Sequence, residues 1–522
     1  MNKDVQARPV LPHFGAFILE TLTMGMYGES RNAIREYVQN CFDSLRQAVK
    51  DQLLRPDEVR VDVTLNTVDR ELVIRDNGSG LKASGAVDVL VSVGDSKKDF
   101  RRNAGFRGIG RLAGIVFCDV VAFTTKAKGD DVITTVEFDA KMLRKLLEPE
   151  NIHEDAATTL GRCVKAFVTP TADVAGHFFE VRLTGFHQPP KECIDATALK
   201  SFLTQVSPLH YSDRFPHAAE VLNHATLLGK EIEVIRLFLR SDDGTFEELF
   251  KPYGPTYSVK KVQAPLTDVD FVASATGKWW GWVGRKRVSG SIKDADTRGI
   301  RVRARNIQID GTDIMRDIFT NTYENEKPRL SYARFAEWYV GEIFVEPGAA
   351  VPNARRDGFE EDANWIEVRR ELGVVGEKYG RLAYRVSAEE QISLPTLTSR
   401  LTEMEASAKR LAQDASANWE LVAPIAEGAK EIQRRLTKAS NIASDEETST
   451  IYALSTRLGQ LRYDLSRIAT AQPPAMDCAA EIDKAQSKLT QKIFAALREG
   501  LGPAEWGRAR KIVQEVTGED AE

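Results

Sequence analysis

Between residues 31 and 54, apolar side chains recur at three- and four-residue steps: Ile34, Val38, Cys41, Leu45, then Ala48 or Val49. That period predicts a helix with one face on a core, and Ser30 is placed to cap it. Glu36, Asn40 and Asp43 follow the same steps on a neighbouring face, so their polar groups point the same way. Such spacing also describes a solvated face. Val59–Thr64 and Glu71–Arg75 alternate instead, two strands joined by a turn over Thr67–Arg70. Asp76 ends the second strand, and Gly78 and Gly80 after it permit tight turns and the close approach of a flat ligand. Asp-Asn-Gly is also ordinary turn chemistry. Residues 81–104 read as a helix plus a polar loop from Gly94 to Asp99 that includes Lys97. Gly105, Gly108 and Gly110 then precede an apolar, helix-like stretch. Such a glycine turn offers free N–H groups to phosphate oxygens.

Further on, residues 195–385 mix strand and helix patterns. Gly244 marks a hairpin turn. The Gly277–Gly284 stretch alternates large and small residues as a strand does, its three tryptophans reading as core. Arg301, Arg303 and Arg305 fall at period two, on one face of a strand in a stretch, Arg285–Arg305, rich in basic residues. That face is either solvated or a polyanion site. Tyr339–Val345 is an apolar strand running into the loop Pro352–Phe359. From about 390 the chain turns charged, alanine-rich and helical over 394–438, 448–468 and 479–516. Pro424, residues 441–446 and Pro473-Pro474 read as breaks. The first two segments suit an antiparallel pair, and the heptads are too short for a long coiled coil.

A chain of 522 residues, 42% hydrophobic and 28% charged, has room for several globular domains. Its net charge of -5 argues against broad nucleic-acid binding by the whole molecule. The five cysteines form no CxxC pair or zinc-like cluster, which points to a reduced, cytoplasmic setting. No run reaches the roughly 18 apolar residues of a membrane span, and no signal pattern opens the sequence.

Gly108, Gly110 and Gly114 are spaced GxGxxxG, which is not the dinucleotide fingerprint, and no Walker loop occurs. Taken together and in order, the three motifs resemble the GHKL superfamily: gyrase, the ninety-kilodalton heat-shock chaperones, histidine kinases and MutL. Arg35-Glu36 through Asn40 and Asp43 resembles the N-box. Asp76-x-Gly78-x-Gly80 resembles the adenine motif, and Gly105-x-x-Gly108-x-Gly110 the phosphate loop in the form the heat-shock chaperones use. The Pro352–Phe359 loop is similar to those chaperones' middle-domain loop, where an asparagine precedes a catalytic arginine by three positions. That alignment selects Arg356, with Arg355 as substitute. In one departure, the late strand beginning Gly176-His177 lacks the family's threonine, which helps hold the adenine end. Thr124 and Thr125 remain candidates for part of that role.

The resemblance implies an α+β chain: a Bergerat α/β sandwich ATPase domain over residues 1–190, a transducer-like α/β middle domain over 191–388, and a helical region over 389–522 serving as a dimer or partner arm. It implies an ATPase that binds ATP and Mg2+. Glu36 and Arg356 would be catalytic and Asn40 would hold the metal. Asp43, Asp76, Gly78, Gly80, Lys97, Gly105, Gly108 and Gly110 would line the nucleotide. ATP would close a lid near residues 94–104 and draw the middle domain inward. Homodimerisation and a protein client follow by the same resemblance. A DNA-associated clamp of the MutL or MORC type, using Arg285–Arg305, is the main rival, and a nucleotide-gated signalling or defence module a third. A histidine kinase lacks its phosphoacceptor here, and no topoisomerase cleavage machinery is visible.

Overall fold

The computed structural model describes residues 14–21, 29–94, 108, 110–151, 154–309, 313–320, 329–391, 394–413, 419–440, 445–471, 502–517 and a few positions between 491 and 498. The chain divides into two compact units, Met1–Ser387 and Ala388–Glu522.

The first unit is built on two sheets. Eight strands form the larger: β1 (Arg60–Asn66), β2 (Glu71–Asp76), β3 (Val120–Lys126), β4 (Val132–Asp139), β5 (Val164–Pro170), β6 (Phe178–Thr184), β7 (Arg236–Arg240) and β8 (Phe246–Leu249). Their order is β5-β4-β3-β6-β2-β1-β7-β8, antiparallel except for the parallel β1–β7 pair. The sheet therefore continues past residue 190, and its last two strands come from the region expected to be the middle domain. A hairpin of β9 (Tyr257–Val259) and β10 (Val262–Ala264) leads to the second sheet. Its strands are β11 (Asp268–Ala273), β12 (Trp279–Arg285), β13 (Gly299–Ala304), β14 (Ile307–Ile309) and β15 (Val340–Val345), ordered β11-β12-β15-β13-β14.

The helix Asn32–Lys50 covers the larger sheet, with Ile34, Val38, Cys41 and Leu45 buried in one core with Val61, Val63, Leu72 and Ile74. Strand alternation explains where Asp76 goes. In β2, Leu72, Ile74 and Asp76 share the buried face, so a carboxylate closes an otherwise apolar row. Trp279, Trp280 and Trp282 are core, each 3% exposed or less.

In the second unit, Leu394–Ala412, Trp419–Ser440 and Asp445–Ala471 pack around Leu401, Ile432, Leu436, Leu458 and Leu461. Three helices share this core, where a pair was expected. Pro424 does not break its segment but lies inside Trp419–Ser440. As the sixth residue of the helix, Pro424 lacks the N–H that would reach the Glu420 carbonyl, and the helix continues through it. No helix among the described residues is long and apolar enough to cross a membrane.

Candidate functional site

The stripe Glu36, Asn40, Ser44 lies on one side of the helix Asn32–Lys50, at steps of four. Ser44 donates its hydroxyl to Asp76 Oδ1 at 2.9 Å, and the N–H of Gly78 donates to the same oxygen at 2.8 Å. Asp76 is 1% exposed. Among the described residues its Oδ2 accepts no hydrogen bond. Burial pushes the Asp76 carboxyl up to about 7, against the opposing pull of the Gly78 N–H, Ser44 and Cys41. An unsatisfied buried acceptor is costly, and an exocyclic amine is the complementary donor. The site thus fits an aminopurine.

The glycines after Asp76 are required by space. A Cβ on Gly78 would come within 2.2 Å of Ser44 Oγ. Gly80 has φ +62, and a Cβ there would lie 2.0 Å from the Lys126 carbonyl oxygen.

The glycine turn packs on the same helix. Tyr37 donates its hydroxyl to the Arg111 carbonyl at 3.1 Å and accepts from the Gly114 N–H at 2.8 Å. A Cβ on Gly110 would meet Glu36 Oε2 at 2.5 Å, which places the turn beside that carboxylate. The Gly94 N–H reaches the Gly108 carbonyl at 3.4 Å. Lys97, Gly105 and the expected lid over 94–104, apart from Gly94, lie outside the described residues.

The loop after β15 arrives at Glu36. Arg356 donates Nε to Glu36 Oε1 at 3.0 Å across 320 residues of sequence. The neighbouring Arg35 donates to the Arg355 carbonyl at 3.0 Å. Adjacent helix residues thus hold adjacent loop residues, one through a side chain and one through the backbone. Arg356 is buried and Arg355 is exposed. The spacing from Asn353 has a local cause. Its carbonyl accepts the Arg356 N–H at 3.2 Å, and its amide donates to Asp357 at 2.7 Å. This turn sets Arg356 at φ +57, left-handed backbone that costs a non-glycine residue about 1 kcal/mol or more.

With this geometry in place, comparison with protein families gives a match. The family described as histidine kinase-, DNA gyrase B-, and HSP90-like ATPase matches residues 28–159. The N-terminal domain is a GHKL-type ATPase domain. None of the curated proteins matches the chain. The matched segment holds Glu36, Asn40, Asp43, Asp76 and the glycines of both motifs, while Arg356 comes from outside it.

Asp43 is buried, within electrostatic reach of Arg305. One sequence expectation changes. Arg301 and Arg303 do not form an exposed basic face, being 1% and 0% exposed. Their side of β13 is covered by the helix Ala196–Val206. Arg301 donates to Gln205 Oε1, and Arg303 donates to the Gln205 carbonyl and to Glu342. Arg305 pairs with Glu233, which also takes Arg46 at 2.6 Å from the helix Asn32–Lys50. These arginines are internal ties and present no exposed basic face.

Sequence reasoning missed Ser44, although it sits four residues after Asn40 in the same stripe. It also missed the tie through Glu233, for which the sequence carries no local signal. Thr125 is buried beside the adenine-type loop, accepting from the Leu81 N–H at 2.8 Å and donating to the Phe178 carbonyl at 3.2 Å. Thr124 pairs with Thr135 at 3.1 Å. Among the described residues no group of three His, Cys, Asp or Glu side chains could hold a metal ion.

Proposed function

We propose that this chain is a magnesium-dependent ATPase of the heat-shock-chaperone-like kind, whose middle region completes the active site and whose ATP cycle acts on a protein partner. The contact between Arg356 and Glu36 is the observation that carries this reading. It joins a cation from the second sheet's loop to the acid of the first domain's helix.

In this reading Asp76 Oδ2 accepts the adenine amine, while Gly78 and Gly80 let the base lie against backbone. Glu36 orients the attacking water and takes its proton as the new P–O bond forms and the bond to the leaving ADP oxygen breaks. General-base help of this kind is worth about 10²–10⁴-fold. Arg356 supplies positive charge where the γ-phosphate develops negative charge. The N–H groups of the Gly108–Gly110 turn face phosphate, joined by Gly105 and Lys97. Asn40 offers an amide oxygen to magnesium, which neutralises phosphate charge when bound. Asp43 lines the nucleotide site beside them. N-terminal dimerisation and a cytoplasmic setting complete the proposal.

The test is turnover and ADP binding by the wild type, Glu36→Ala and Arg356→Ala. Both variants should bind ADP and lose turnover. Wild-type turnover in either overturns its catalytic role. Turnover stimulated by duplex DNA and indifferent to unfolded protein overturns the protein-partner part.

A further inference from the structure

The loop that follows Asp76 is fastened from a second side as well. Gly78 donates its N–H to Asp76 Oδ1 at 2.8 Å, and its carbonyl lies 2.8 Å from Nδ1 of His177. A carbonyl only accepts, so Nδ1 carries the proton, in the neutral and the charged imidazole alike. The anchor is itself held in place. Gly176 donates its N–H to Asp173 at 2.8 Å, and a Cβ on it would approach that carboxylate to 2.1 Å. The ammonium of Lys126, 2% exposed, donates to the Gly176 carbonyl at 2.8 Å and the Ala127 carbonyl at 3.3 Å. The Asp173 turn and the buried lysine thus fix the Gly176–His177 step at the head of β6.

We propose that His177 is a positioning residue for purine recognition, in the strand where the family's threonine is missing. By holding the Gly78 carbonyl it fixes the residue whose N–H holds Asp76 Oδ1. Oδ2 is then left turned to a ligand amine. The ligand class is a purine nucleotide bearing a donor at C6, and a C6 carbonyl, as in guanine, meets an acceptor. This deepens the ATP-site reading and rests on it.

The experiment is calorimetric titration of the full-length wild type, His177→Ala, His177→Asn and His177→Asp with ADP and GDP, alongside steady-state ATP turnover. Asn keeps an N–H near the position of Nδ1, and Asp presents only acceptors. His177→Ala and His177→Asp should weaken ADP by about tenfold, the scale of one buried hydrogen bond, and narrow the preference over GDP. His177→Asn should stay within about threefold of wild type, and kcat at saturating ATP should hold in all variants. ADP affinity within about twofold of wild type in His177→Ala overturns the assignment. So does equal weakening in Asn and Asp, or a fall in kcat with KM unchanged. Should the alanine variant not fold, the Asn–Asp comparison decides alone. A wild type that takes up no nucleotide overturns the ATP-site reading itself, a result distinct from the others.

Discussion

Arg356 and Glu36 form an ion pair in which both side chains are largely shielded, at 7% and 12% exposure. A shielded pair of this kind is screened less than a surface pair. Backbone and charge at Arg356 can be separated by substitution. Arg356→Gly relaxes the left-handed conformation and removes the cation. Arg356→Ala removes the cation and keeps the strain. Both should lose turnover alike, while thermal melting should place the glycine variant above the alanine variant by about 1 kcal/mol. Turnover retained in the glycine variant would show that only the loop's shape matters.

At Asp76, recognition opposes stability. Its carboxyl stands near 7 in the fold against 3.8 when unfolded, so the folded state holds the proton more tightly. The stability tied to that proton is complete below about pH 4 and is lost as pH rises to about 7, amounting to about 4 kcal/mol. Asp76→Asn removes this dependence. The nucleotide-free variant should out-melt wild type at pH 8, by much less at pH 4, and should fail to bind ADP. Equal melting differences at the two pH values would contradict the burial argument.

Glu342 is the internal counterpart. Burial alone would raise its carboxyl, but Arg303 and Lys251 outweigh that and hold it at about 2. Its stabilising charge is present above the usual glutamate range and is lost as pH falls toward 2. Lys251 is pushed down to about 7 by burial, with Arg303 adding to the effect and Glu342 opposing it. The two should therefore respond differently at pH 8. Glu342→Gln leaves a buried guanidinium without its carboxylate and should cost about 3–5 kcal/mol. Lys251→Met removes a cation that burial already disfavours and should cost clearly less. Denaturant unfolding of both variants checks the order.

Glu233 ties the GHKL domain's helix, through Arg46, to Arg305 at the β13–β14 turn. Glu233→Ala removes the carboxylate that Arg46 and Arg305 share and loosens that helix's hold on the second sheet. Expected are a stability loss of about 1–3 kcal/mol and a lower kcat with little change in KM for ATP. An unchanged kcat would mean this tie does not help bring Arg356 to Glu36.

The sequence alone carried the local elements and the matched domain. The helix bearing Glu36 and Asn40, the strand ending at Asp76 and the glycine turns follow from side-chain period and turn chemistry, which act over a few residues. Ser44 was legible in the same period. The tertiary structure decided what lies far apart in the chain. It turned Arg356 inward onto Glu36 through a left-handed turn and left Arg355 exposed. It buried Arg301 and Arg303 under the helix Ala196–Val206, where their strand period suited an exposed basic face equally well. It also set His177 against Gly78, a contact that exists because β2 and β6 lie side by side in the sheet. Period fixes which way a side chain points from its own element. Only packing decides whether water, a carboxylate or a nucleotide-binding loop stands opposite.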